Sequence, residues 1–196
     1  MPKVSDAHRA ARRDQILDAA ERVIIRDGYR GASMAVIVRE TGLSTGAVYG
    51  YFEGKQELFR ALAERTFDLK VMSFARPQGE PPRSPGEVVR AIVRVLQRHP
   101  AMTVAPQIWA EATVDPEIRA IVEMIFGRVR GIIRAELAEW AAGEPEAVRG
   151  KDPQAWAERV TPVLLSSIPG FMLQRIVVPG FDEQAYLDAL SEVFPG

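Results

Sequence analysis

Residues 32–59 read ASMAVIVRETGLSTGAVYGYFEGKQELF. Ser33 stands where a side chain caps a helix running through Ile37 and Val38 to Thr41, and Gly42 stops that helix. Ser44 then caps a second, very short helix holding Val48, Tyr49 and Phe52. Ile37, Val38, Leu43 and Val48 are spaced to form a small core between the two helices, the pattern of a helix-turn-helix. When the second helix of such a pair enters the major groove of DNA, its first turn meets base edges, so small or hydrogen-bonding residues are required there. Ser44, Thr45, Gly46 and Ala47 satisfy that requirement.

Contacts to the phosphates would fix the register of such a reading helix without reading sequence. The candidates are the Ser33 hydroxyl with the N–H groups of the helix it caps, the phenols of Tyr49 and Tyr51, and the Lys55 ammonium. The competing structural roles are core packing for either tyrosine and a solvated charge for Lys55.

Working outward, Ile16, Leu17, Ala20, Val23 and Ile24 recur at three and four while Arg12, Asp18, Arg22 and Arg26 take the opposite face, which predicts an amphipathic helix over 9–27 ending at Gly28. A fourth helix carries Leu58, Phe59, Leu62, Phe67 and Met72 and ends near Pro77. The stretch 76–85 holds Pro77, Gly79, Pro81, Pro82 and Pro85 and is read as a loop between head and body. Ser84-Pro85, Asp115-Pro116 and Asp152-Pro153 each set a capping side chain before a proline that needs no helical donor, and Asp182 starts a last helix. Helices are predicted over 85–98, 101–113, 116–142, 153–178 and 183–194. Nothing alternates with period two, so the class is all-α: an N-terminal three-helix helix-turn-helix head and a C-terminal helical body.

The chain has 196 residues, 47% hydrophobic and 26% charged, the balance of a folded globular protein. Its net charge of −1 is unevenly spread: residues 1–60 hold ten Lys and Arg against eight Asp and Glu, a surplus of two, so the remainder carries −3. Lys3, Arg9, Arg12 and Arg13 face only Asp6 in the first thirteen residues, a basic tail that suits phosphates or water equally. There is no cysteine, and 7–11 is broken by His8 and Arg9 where a signal core would be apolar, so a cytoplasmic protein is expected. Val160 to Phe181 carries one charge, Arg175, but Pro162, Pro169 and Gly170 interrupt it, and it is read as a buried helix rather than a membrane span.

An enzyme finds no support: there is no phosphate-binding glycine loop or nucleophile elbow, and His8 and His99 have no metal-ligand company, so neither cofactor nor metal is expected. A helical protein-interaction module is the other alternative. The small, hydroxyl-bearing start of the third helix argues against it, because a protein-binding helix would set apolar anchors there.

The run DGYRGASMAVIVRETGLSTGAVYGYFEGKQELF, with Gly28-Tyr29, Gly-Leu-Ser, Gly46, Tyr49 to Phe52 and Lys55-x-x-Leu58 in order, resembles the DNA-binding head of the TetR/AcrR family of repressors over about residues 10–60. Ala32 stands where that family usually has Thr, Val38 where it has Ala, Thr45 where Lys or Arg is common and Gly50 where a larger residue is.

The resemblance implies a DNA-binding domain over 1–60, with a flexible tail at 1–8, and an effector-binding and dimerisation domain over 61–196. It implies a homodimeric repressor on a palindromic operator, released by a small effector. The dimer would form through 153–178 and 183–194, offering Trp156, Val160, Leu164, Phe171, Leu187, Leu190 and Phe194. An apolar effector site is expected from Met102, Trp109, Phe126, Phe171 and Met172, although residues of this kind serve more often as core. Gly127 and Gly131, one turn apart in a helix, suggest close helix packing or a ligand niche.

Overall fold

The computed structural model describes residues 6–74, 76–77, 79–98 and 103–194, with the side chains of 67–74 outside that description. Lys3, His99 and Met102, weighed above, lie outside the described residues. Those described form α1 (Asp6–Gly31), α2 (Met34–Thr41), α3 (Thr45–Tyr49), α4 (Lys55–Phe74), α5 (Pro85–Gln97), α6 (Ala105–Ala112), α7 (Pro116–Gly143), α8 (Pro153–Val177) and α9 (Glu183–Val193), and no strand. Asp6 to His8, expected in a flexible tail, belong to α1.

Local chemistry sets most of the boundaries. Ser33 Oγ accepts from Val36 N at 3.4 Å and Ser44 Oγ from Ala47 N at 3.2 Å, each satisfying a donor of the first helical turn. Asp115 Oδ1 accepts from Glu117 N at 2.9 Å, Asp152 Oδ1 from Ala155 N at 2.8 Å and Asp182 Oδ1 from Ala185 N at 2.9 Å. At α5 the Ser84 N–H donates to Glu87 Oε2 at 2.8 Å. Gly42 closes α2 at φ 68°, in the left-handed region that glycine enters without strain. Gly28 is also at positive φ, 72° with ψ 172°, and there the first helical stretch of α1 stops, as its sequence predicted, and a short second stretch continues across the kink to Gly31.

The chain divides into two compact units. The first comprises described residues within 1–68 together with Thr103–Val122. Ile16, Leu17, Ala20 and Val23 of α1 are wholly buried, as are Val48 and Leu58, with Phe52 and Phe59 nearly so. α6 packs against α1, and an added Cβ at Gly28 would lie 2.6 Å from Gln107 Oε1. Arg30 Nε donates to Glu111 Oε1 at 2.6 Å on the same seam.

The second unit comprises described residues within 69–102 and 123–196. Here α5 packs on α8 and α9, and the approach at Gly86 is so close that a Cβ would lie 2.8 Å from the Leu190 carbonyl oxygen. Ile133 and Leu137 of α7, Leu164 and Phe171 of α8 and Leu187 of α9 are buried. Phe171 packs against Phe181 and Tyr186 with ring centroids 5.6 and 5.2 Å away. Arg83 grips Glu136 with two hydrogen bonds, at 2.6 and 2.8 Å.

α8 corrects an expectation. It is one continuous helix with Pro162 and Pro169 inside it, but it is not a buried one: Leu173, Ile176 and Val177 are 51, 50 and 64% exposed. Of the seven residues expected on a dimer face, Leu164, Phe171, Leu187 and Leu190 are buried in their own unit, while Trp156, Val160 and Phe194 are half-buried. Adjacent apolar residues on a helix point some 100° apart, and in a segment apolar on both sides periodicity cannot tell inside from outside.

Candidate nucleic-acid interface

The platform under α3 is built from a few contacts. Val48 is wholly buried, Ile37 and Phe52 nearly so, while Val38 and Leu43 are half-buried. Buried Thr41 shapes the turn: its hydroxyl donates to the Val38 carbonyl at 2.7 Å and accepts from Leu43 N at 3.0 Å. Gln15 Nε2 donates to the Thr41 carbonyl at 3.1 Å, and Arg12 donates to Gln15 Oε1 at 2.7 Å, so α1 holds the turn from behind. Thr41 and Gln15 were absent from the sequence candidates. Thr41 had a signal, a hydroxyl directly before Gly-Leu-Ser, whereas the role of Gln15 depends on a contact 26 residues away.

With Val48 anchored inward, Ser44, Thr45, Gly46, Ala47 and Tyr49 are all exposed, Tyr49 at 46%. These five therefore share the free side of α3. Ser33 is exposed at the start of α2, and Tyr51 is half-buried beyond α3. Both cap hydroxyls accept a backbone N–H and keep their own O–H free to donate, as a phosphate oxygen requires.

Lys55 is placed differently. Its Nζ donates to the Tyr29 carbonyl at 2.6 Å and lies 3.9 Å from the centre of the Tyr29 ring. Burial pulls the ammonium below the ordinary lysine value, with the Glu111 carboxylate opposing the shift. The Tyr29 phenol is pushed up to about 12, first by burial and then by Asp115, Glu111 and Glu117. One ammonium donor thus ties the start of α4 to the end of α1, and two remain.

Several of the basic residues that gave the head its positive surplus are neutralised locally. Glu40 accepts from Arg22 Nε and from Arg26, each at 3.0 Å, linking α1 to α2. These partners hold the Glu40 carboxyl below its usual range, Arg26 first and Arg22 second, and Arg26 does the same to Asp27. Arg13 stacks 5.4 Å from the Phe52 ring centre. Arg9, Arg39 and Arg60 are exposed and have no ion-pair partner among the described residues. Arg39, on the last turn of α2, was not among the sequence candidates.

Four of the five residues expected around an effector lie among the described residues, and each is placed within its own unit. Trp109 lies on α6 in the first unit, and Phe126, Phe171 and Met172 lie in the second. Phe171 and Met172 are buried, whereas half-buried Phe126 lines an open groove of about 580 Å³ between α7 and α8.

Residues 16–62 match the family model described as bacterial regulatory proteins, tetR family. Residues 86–193, more than half of the chain, match the model described as BetI-type transcriptional repressor, C-terminal. The HTH-type transcriptional repressor Rv1474c of Mycobacterium tuberculosis is 48% identical over 63 residues, covering 32% of this chain and 34% of that protein. The match to that first relative therefore spans about a third of its length. The HTH-type transcriptional regulator BetI of Burkholderia thailandensis is 26% identical over 98% of this chain and 95% of its own. Among solved structures, a transcriptional regulator from Saccharomonospora viridis in complex with choline superposes with a TM-score of 0.71 at 20% identity, covering 93% of this chain and 95% of that one.

Proposed function

The chain belongs to the TetR family of bacterial regulatory proteins, and on that premise we propose that it is a transcriptional repressor reading a palindromic operator as a homodimer. The observation that carries the reading is the exposed first turn of α3, where Ser44, Thr45, Gly46 and Ala47 stand free while Val48 anchors the helix from below. Small residues let the helix axis approach the floor of the major groove, and the two hydroxyls supply hydrogen bonds to base edges. Ser33, Tyr49 and Tyr51 supply neutral phosphate contacts, and the two remaining donors of Lys55 a charged one. DNA binding sets the site of action in the cytoplasm. The functional division is a DNA-binding domain over 1–60 and an effector and dimer domain over 61–196.

Homodimerisation uses α8 and α9, through the exposed aliphatic residues Val163, Leu173, Ile176, Val177 and Val193. Two copies related by a two-fold axis present two reading helices to the two halves of a palindrome. The effector is small and apolar, and its site lies in the second unit near Phe171 and Met172. Of the other expected residues, Phe126 lines the groove between α7 and α8, Trp109 lies in the first unit and Met102 lies outside the described residues. α4 runs from the first unit into the second, so an effector that prefers one setting of α4 changes operator affinity by its preference and no more.

Selection of bound duplexes from a random pool, followed by a salt titration, tests the proposal. The expected outcome is a palindromic site whose log affinity falls linearly with log salt, with a slope of about −0.9 per phosphate contacted. Binding without sequence preference and without salt dependence would overturn it.

A further inference from the structure

Gly127 and Gly131 stand one turn apart in the interior of α7, exposed, and an added Cβ at either would meet nothing within 4 Å. Close packing inside the protomer, the role the sequence suggested for them, is therefore not what the structure gives. Each glycine nevertheless weakens the helix relative to alanine. The missing side chains leave room for something outside the protomer.

Gly127 sits in the wall of the groove between α7 and α8. On the α7 side the lining runs Glu123, Phe126, Gly127, Arg130, at the spacing of one helical stripe. Opposite stand Pro162, Leu165 and Pro169 of α8. That wall continues along α8 into half-exposed Leu173 and Ile176, which the dimer reading above already covers with a second copy.

Charge identifies the occupant. Glu123 and Arg130 are exposed at the two ends of the stripe, and neither has an ion-pair partner among the described residues. Seven residues of helix set them about 10.5 Å apart along the axis. A second α7 laid antiparallel across a two-fold axis close to Gly127 brings Glu123 opposite the second copy's arginine and Arg130 opposite its glutamate. One stripe thereby makes two ion pairs, as an isologous contact requires. The glycines allow the two backbones to come close where the helices cross.

We propose that α7 is a third element of the dimer interface, with the α7 helices of two copies antiparallel, Glu123 and Arg130 paired across the axis, and the groove filled by the second copy. The inference rests on the dimer reading and adds residues to it.

The experiment is sedimentation equilibrium of the full-length chain at low and high salt, for the unaltered protein and for E123R, R130E, E123R/R130E and Gly127→Leu. Each single reversal sets like charges opposite one another twice and is expected to raise the dimer dissociation constant about tenfold at low salt. The double reversal restores both pairs and is expected to return it to within about threefold of the starting value. Gly127→Leu is expected to weaken the dimer at any salt while leaving helix content intact, since leucine is the better helix former. An unaltered protein that stays monomeric sinks both the dimer reading and this inference. A dimer indifferent to the reversals, or not rescued by the double reversal, overturns this inference alone and leaves the groove to another occupant.

Discussion

α3 and α8 each present a face that their own chain leaves uncovered, and the two faces differ in chemistry. The five residues of α3 turn one side chain inward, Val48, and expose a hydroxyl, a glycine, an alanine and a phenol, with the Ser44 hydroxyl exposed just before them. The 25 residues of α8 bury Ala157, Thr161, Leu164, Ile168, Phe171 and Met172 and expose Val163, Leu173, Ile176 and Val177. Hydroxyls and small groups lose little by standing in water and can exchange that water for the equally polar edges of bases. Exposed aliphatic surface has no such equilibrium: about 25 cal/mol per Å² favours covering it, and only an apolar partner does so. The type of partner is thus written in what each helix leaves outside.

The largest effect should come from spoiling the apolar face. Leu173→Asp combined with Ile176→Asp removes two aliphatic side chains, each worth about 1.5–3 kcal/mol when fully covered, and adds charge. The dimer dissociation constant is expected to rise on the order of 100-fold or more, read by sedimentation, with helix content unchanged because both positions are half-exposed in the single chain. A dimer that survives both changes would break the assignment of α8. The polar face should respond in another way. Thr45→Arg is expected to redirect base preference by about 1–3 kcal/mol at one position of each half-site, measured by repeating the duplex selection. Thermal stability should not move, since Thr45 is exposed.

The two faces were also unequally legible in the sequence. Helix starts were read to the residue at Pro116 and Pro153, because a capping aspartate and a proline act within one turn. The inward register of α1 and α3 was legible too, since Ile16, Leu17, Val23 and Val48 sit in segments with a clear polar side. α8 has none, so the side of Leu164 and the side of Val163 could not be ranked before the packing of α5 and α9 was known. Gly28 was legible as a stop, but not the short helical stretch that resumes after it, nor Gln107 of α6 filling the space a side chain would need. The grouping of Thr103–Val122 with the head, the tie from Lys55 to Tyr29 and the empty flank of Gly127 are tertiary facts that no local pattern encodes.

Lys55 offers a smaller test, because two roles meet in one ammonium. Lys55→Met keeps the aliphatic stem and removes the charge. If the residue both ties Tyr29 and touches phosphate, operator affinity falls for all sequences alike and the salt slope becomes shallower by about 0.9. The head should also melt earlier by roughly 1 kcal/mol for the lost charged hydrogen bond, balanced in part by relief from burying the charge. Loss of stability with an unchanged slope would leave Lys55 a tie alone and restrict the polar face to its neutral members.

The smallest expected effect is a pH dependence confined to the seam that supports α3. Glu40 is held below its ordinary value of 4.5 by Arg26 and Arg22, and Asp27 below 3.8 by Arg26. A carboxyl whose folded value is depressed releases its proton more readily in the folded state, so it stabilises the fold above its unfolded value. That contribution fades as pH falls from about 4.5 through the lower folded value. The pairs are exposed and screened by salt, so the effect is a modest one. Comparing thermal midpoints of the unaltered protein and Glu40→Gln at low ionic strength isolates it. The unaltered protein should melt higher at neutral pH, and the gap should close as pH falls below 4.5. A gap that persists in acid would mean that Glu40 acts through packing against α1 and not through its charge. The platform beneath Val48 would then be held by the same kind of contact as the buried face of α8, and the two helices would differ only in what they expose.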